Sequence, residues 1–143
     1  MAYWLFKSEP GAWSWEQQVA RGTAGEEWSG VRNYQARNNM RAMQVGELGF
    51  FYHSVDEKRI VGIVRVVAPA HRDSTTEDER WECVNVEAVC AMPDPVTLDQ
   101  CKAEPRLKDM VLVNNTRLSV QPVSEVEWKV VCAMGGLKEA PSP

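Results

Sequence analysis

The sequence predicts an α+β fold, a small curved mixed β-sheet or barrel with short helices along its sides. Three observations predict it. Five segments are rich in aromatic and β-branched residues or alternate between apolar and polar, as half-buried strands do. Three capping boxes, starting at Ser14, Thr97 and Ser124, each open a short helix. The order along the chain is strand, helix, helix, hairpin, strand, helix, strand, helix, which interleaves the two element types.

Tyr3 to Lys7 reads as an aromatic strand ended by Pro10 and Gly11. Alternation sends Trp4 and Phe6 to one face, and Tyr3, Leu5 and Lys7 to the other. Lys7, Ser8 and Glu9 emerge at its end, where a strand hands side chains to a pocket. Ser14-x-x-Gln17 opens a helix that Gly22 stops after Arg21, with Trp13 and Trp15 placed to pack it on the sheet. Residues 22–27 form a loop that delivers Trp28. Asn33 caps a second helix starting at Tyr34. Gly46 breaks the chain, and Glu47 to Ser54 then alternates, with Leu48, Phe50, Tyr52 and Ser54 opposite Gly49, Phe51 and His53. A short polar connection joins it to Ile60–Val67, so the two form a hairpin in which Gly49 and Gly62 relieve crowding. Asp73–Arg80 is a charged loop and Trp81–Val89 the next strand. Thr97-x-x-Gln100 opens a helix toward Ala103, which Pro105 prevents from continuing. Arg117–Val123 is a last strand or extended loop with Gln121-Pro122 at its end. Ser124-x-x-Glu127 starts a helix through Cys132, closed by Gly135-Gly136. Residues 1–137 are read as a single domain and 138–143 as a frayed tail.

The second helix organises the rest. Trp28 to Arg41 (WSGVRNYQARNNMR) holds three arginines, three asparagines, a tryptophan and a tyrosine, and no acid. Tyr34, Arg37, Asn38 and Arg41 sit at i, i+3, i+4 and i+7 and share one face, while Ala36, Met40 and Met43 fall on the opposite, inward face. A plain solvated helix would carry Lys and Glu on its polar side. Arg, Asn and Tyr make directional contacts instead.

Composition narrows the function. The 143 residues are 44% hydrophobic with six Trp, enough for a real core. The net charge is −4 and the pI about 5.2, so nucleic acid is not held by bulk positive charge. Any such role rests on the acid-free window from Trp28 to Gly46. Cys83, Cys90, Cys101 and Cys132 form no Cys-x-x-Cys pair, and there are two histidines, so no metal site and no cofactor are expected. The cysteines read as reduced, buried thiols. No apolar run approaches membrane-spanning length and no signal peptide is evident, which points to the cytoplasm, or to the nucleus in a eukaryote.

The Trp28–Arg41 run resembles the EVE domain, a member of the PUA-like superfamily related to the YTH readers of methylated adenine. The runs YWLFKSEP at Tyr3–Pro10, GFFYHS at Gly49–Ser54, RLSVQPV at Arg117–Val123, the EW pair at Glu127–Trp128 and MGG at Met134–Gly136 carry the same resemblance. It implies a PUA-like barrel, a pocket mouth lined by Lys7, Ser8 and Glu9, and a place for His53 and Ser54 near that pocket.

The groups that would converge are Trp28, Gly30, Val31, Asn33, Tyr34, Arg37 and Asn38 with Lys7, Ser8, Glu9, His53, Ser54, Gln121 and Pro122. They offer a flat aromatic wall and polar donors and acceptors, which suits a planar heterocycle held by stacking and edge hydrogen bonds. Trp28 is the expected stacking wall. Asn38, Ser8 and the Gly30–Val31 backbone are expected on the base edge, and Arg32, Arg37 and Arg41 on phosphates. The resemblance implies a non-catalytic reader of a modified base, with 5-methyl- or 5-hydroxymethylcytosine in DNA the leading expectation. Two other readings stay open. Lys7, Ser8, Glu9 and His53 could form a hydrolase acting on a modified nucleoside, or the pocket could take a small molecule, a peptide or RNA.

Overall fold

The computed structural model describes residues 1–115 and 117–143. Its strands are β1 (Tyr3–Ser8), β2 (Glu26–Glu27), β3 (Leu48–His53), β4 (Arg59–Arg72), β5 (Glu82–Thr97) and β6 (Val120–Val123). They form one sheet in the order β2-β5-β4-β3-β1-β6, in which β1 and β3 are parallel and the other pairs antiparallel. The helices are α1 (Trp15–Arg21), α2 (Tyr34–Ala42), α3 (Leu98–Ala103), α4 (Val111–Asn114) and α5 (Glu125–Met134).

Strand alternation builds two cores, one on each face of the sheet. Tyr3, Leu5, Leu48, Phe50 and Tyr52 join Trp128 of α5 and Leu98 and Cys101 of α3 on one face. Trp4, Phe6 and Phe51 join Trp28 and the Ala36, Met40 and Met43 side of α2 on the other. Each cluster is what the period-2 pattern of β1 and β3 predicts. The three capping boxes form as read, at Ser14, Thr97 and Ser124. Asn33 caps α2 by accepting the Ala36 N–H at 2.9 Å.

Three expectations change. The sheet does not close into a barrel, because β2 and β6 remain its unpaired edges. α2 packs against both β5 and β6. The middle strands run further than the sequence suggested, β5 continuing through Pro93 and Pro95 to Thr97. The β4–β5 register slips at several points, including between Ile60 and Gly62 opposite this stretch, so the prolines fall where the ladder is already interrupted. α4 was not anticipated, since its Val-Leu-Val-Asn sequence has low helix propensity and no side-chain cap. At the C-terminus, Trp128 Nε1 donates to the Pro141 carbonyl at 2.9 Å and Ala140 packs on the first cluster.

Candidate functional site

A cavity of about 470 Å³ opens at the C-terminal end of β1, within the size range of small-ligand sites. The end of β1, the turn after it, β2 and residues 28–32 form its walls, and Ser119 closes one side.

Trp28 is one wall. Its backbone N–H donates to the Val84 carbonyl at 2.8 Å. Its ring meets Phe6 and Phe51 edge-on, with centroids 5.1 and 5.5 Å away, and it is only 7% exposed. Edge contacts of this kind fix the plane of the indole. Trp13 is a second indole in the lining. Its Nε1 donates to Gln18 Oε1 at 2.9 Å, and the buried Gln18 in turn donates Nε2 to the Val86 carbonyl at 3.1 Å, so α1 ties Trp13 to β5. The sequence pattern predicts only helix packing for Trp13, and the cavity wall is an added role. Trp15 takes the packing role, stacking edge-on against Phe51 at 5.3 Å. The Trp-Ser-Trp run around the cap of α1 was the available signal.

Lys7 and Ser8 leave β1 by opposite faces. Ser8 Oγ donates to the Trp13 carbonyl at 2.5 Å. The Lys7 ammonium lies 5.8 Å from the centroid of Tyr52, a member of the opposite core, and burial lowers its pKa. The Lys7 charge thus lies beside Tyr52 of the first core cluster. Glu9, Glu26 and Glu27 bring three carboxylates to the lining, against Lys7 and the Asp73-paired Arg32.

The Gly30–Arg32 rim is set by Asp73, at the start of the charged Asp73–Arg80 loop. Asp73 is 1% exposed. Its Oδ2 accepts the Gly30 N–H at 2.7 Å and Arg32 Nη1 at 3.1 Å, and its Oδ1 accepts both the N–H and the hydroxyl of Thr75. Burial alone would raise its pKa, but the bonds from Thr75, Gly30 and Arg32 outweigh it and hold the carboxyl at about 2.

Several expected site residues fall outside the cavity lining among the described residues. Asn33 is occupied as the cap of α2. Tyr34, Arg37 and Asn38 lie on the outer face of α2, where Asn38 Oδ1 accepts from Arg37. Arg41 is ion-paired with Glu82. His53 is buried; its Nε2 accepts the Trp15 N–H at 3.0 Å, which pins α1 to the end of β3, and its Nδ1 donates to Glu57 in the β3–β4 connection at 2.9 Å. Ser54 donates its backbone N–H to the Ser8 carbonyl. Gln121 is fully buried and pairs with Leu5 on the face opposite Trp28, donating to the Leu118 and Asn115 carbonyls. Pro122 is exposed beside Trp4.

Glu27, His71 and Cys83 bring ligand-type atoms within 4.8 Å of one another. Their hydrogen bonds do not suit a cation. His71 faces the Asn85 side-chain oxygen at 2.7 Å and the Arg72 carbonyl at 2.9 Å, and its pKa is raised, chiefly by the bond to Asn85. Burial pushes the Cys83 thiol up to about 12. No helix among the described residues is long and apolar enough to cross a membrane.

Residues 2–134 match the EVE domain. The chain belongs to the EVE domain family. Human thymocyte nuclear protein 1 is 33% identical to this EVE chain over 165 residues, spanning 93% of it and 73% of its own length. A crystal structure of an Agrobacterium tumefaciens protein is 59% identical, with a TM-score of 0.97 over 100% of this chain and 99% of that one. The human THYN1 protein, crystallised in complex with 5-methylcytosine containing DNA, is 34% identical with a TM-score of 0.88 over 99% and 100% of the two chains. The YTH domain of the Zygosaccharomyces rouxii MRB1 protein, solved with N6-methyladenosine RNA, is 18% identical at a TM-score of 0.56, a likeness of fold alone.

Proposed function

We propose that this EVE domain is a non-catalytic reader of a modified nucleobase, with modified cytosine in DNA as its ligand. The observation that carries the reading is the cavity itself, walled by two fixed indoles and large enough to admit an extruded base. The human relative bound to 5-methylcytosine containing DNA supports the same assignment. In this reading the base stacks on Trp28, a contact worth roughly 1–3 kcal/mol. Extruding a base costs a few kcal/mol, so edge contacts must supply the surplus. Ser8 Oγ, with its proton committed to Trp13, accepts from the base, and the Gly30–Val31 backbone completes the edge. The carboxylates of the lining favour an amino-bearing edge, because an acid accepts from the cytosine N4 amine. Thymine has the same methyl group but turns a carbonyl oxygen toward those acids. The lining carboxylates also keep phosphate outside, on the arginines of the rim and α2.

A hydrolytic site would need an activated nucleophile. The Ser8 hydroxyl is bonded to a carbonyl, His53 is spent on Trp15 and Glu57, and the Lys7 ammonium sits over Tyr52.

Duplexes carrying one central cytosine, 5-methylcytosine, 5-hydroxymethylcytosine or thymine, titrated at near-physiological salt, test the reading. Tighter binding to a modified cytosine than to cytosine or thymine is expected, with the preference lost in Trp28→Ala. Equal, weak binding to all four would overturn it.

A further inference from the structure

A four-membered stack runs from the outer face of α2 to the rim of the cavity. The Tyr34 and Trp81 rings lie parallel, with centroids 4.9 Å apart and planes 28° apart. Arg37 caps the free side of Tyr34 at 4.8 Å, and Arg32, on the cavity rim, caps Trp81 at 5.6 Å. Tyr34 is half exposed, and Arg80 reaches its hydroxyl at 3.4 Å. The stack thus joins α2 to the end of the Asp73–Arg80 loop beside the cavity.

The arginines here differ in their partners. Arg32, Arg41 and Arg80 are paired with Asp73, Glu82 and Asp78. Among the described residues Arg37 is held by neutral acceptors instead. Its Nε and Nη2 donate to Asn38 Oδ1 at 3.2 and 2.8 Å, and its Nη1 donates to the Arg80 carbonyl at 2.9 Å. These bonds fix the guanidinium without cancelling its charge. A guanidinium carries five N–H donors, so one on each terminal nitrogen is left over. That pair fits two oxygens of one phosphate.

We propose that Arg37 is the phosphodiester anchor of this surface and that Trp81, through its stack on Tyr34, is the positioning residue that holds the Arg37 fork. The ligand is the backbone of the strand that carries the extruded base, so the inference rests on the base-reading function. It also singles out Arg37, because the charges of Arg32 and Arg41 are already matched by carboxylates. Trp81 acts on Arg37 and touches no ligand.

The test measures affinity for cytosine and 5-methylcytosine duplexes across a range of salt, with folding of each variant checked by thermal melting. Arg37→Gln is expected to weaken both duplexes equally, by about tenfold, and to lower the slope of log affinity against log salt by about one. Trp81→Ala should reproduce the slope loss and Trp81→Phe, which keeps a stacked ring, should restore it. Arg106→Gln, whose guanidinium pairs with Glu104 at the other core, should leave the slope unchanged. An unchanged slope in Arg37→Gln overturns the anchor. A lowered slope in Arg37→Gln with a wild-type slope in Trp81→Ala overturns the positioning role. Failure of the wild type to prefer the modified duplex would instead overturn base reading, while the slopes still report on Arg37.

Discussion

Asp73 is the residue on which the rim of the cavity depends. One carboxylate satisfies donors from Gly30, Arg32 and Thr75, and water cannot replace it at 1% exposure. Its pKa is depressed from 3.8 to about 2, so its stabilisation is fully present above pH about 4 and is lost as pH falls toward 2. The shift corresponds to roughly 2 kcal/mol. Asp73→Asn is expected to lower stability at neutral pH by a similar amount, read by urea denaturation, and to flatten the loss of wild-type stability between pH 4 and 2. Asp73 could not be found from the sequence, because its partners Gly30 and Arg32 lie 43 and 41 residues away. His53 teaches the converse. A histidine at a strand end beside a pocket motif invites a functional role, but the Trp15 N–H and Glu57 occupy both its nitrogens.

At the scale of elements, α2 was legible because its signals are local. Asn33 lies three residues before the Ala36 N–H that it caps, and the buried positions follow the helical repeat. Removing the cap in Asn33→Ala should cost about 1 kcal/mol in a denaturant melt, since the helix start then leaves a donor unsatisfied. The same variant should leave Trp28 in place, because Val84 of β5 and the Phe6 ring hold it independently. The polar face of α2 was also legible, but its use was not. Trp81 comes from a loop some forty residues on, and it turns Tyr34 and Arg37 outward into a stack rather than toward the cavity.

For the whole molecule, two cores share one sheet, and close approach of large rings to glycine lets the layers meet. A Cβ on Gly62 would lie 2.5 Å from the Trp15 ring, and one on Gly49 would lie 2.5 Å from Phe6. These are glycines because an indole and a phenyl ring cover them; crowding was the correct expectation, and aromatic packing is its source. Gly62→Ala must push Trp15 and α1 off the sheet. It should destabilise the fold by about 1–3 kcal/mol in thermal or urea melts. Because α1 also holds Trp13, the same substitution should weaken ligand binding through the second indole.

The sequence alone settled what depends on near neighbours. Strand alternation sorted Trp4 and Phe6 from Tyr3 and Leu5, and capping chemistry placed the starts of α1, α2, α3 and α5. It also pointed to Lys7, Ser8, Glu9 and the Trp28–Arg32 run, which do line one cavity. Only the tertiary structure decided that Trp13 is a wall of that cavity, that Asp73 sets its rim and that α2 packs against β5 and β6. Those outcomes rest on contacts between residues distant in sequence, and their geometry is fixed by packing and hydrogen-bond satisfaction rather than by any local pattern.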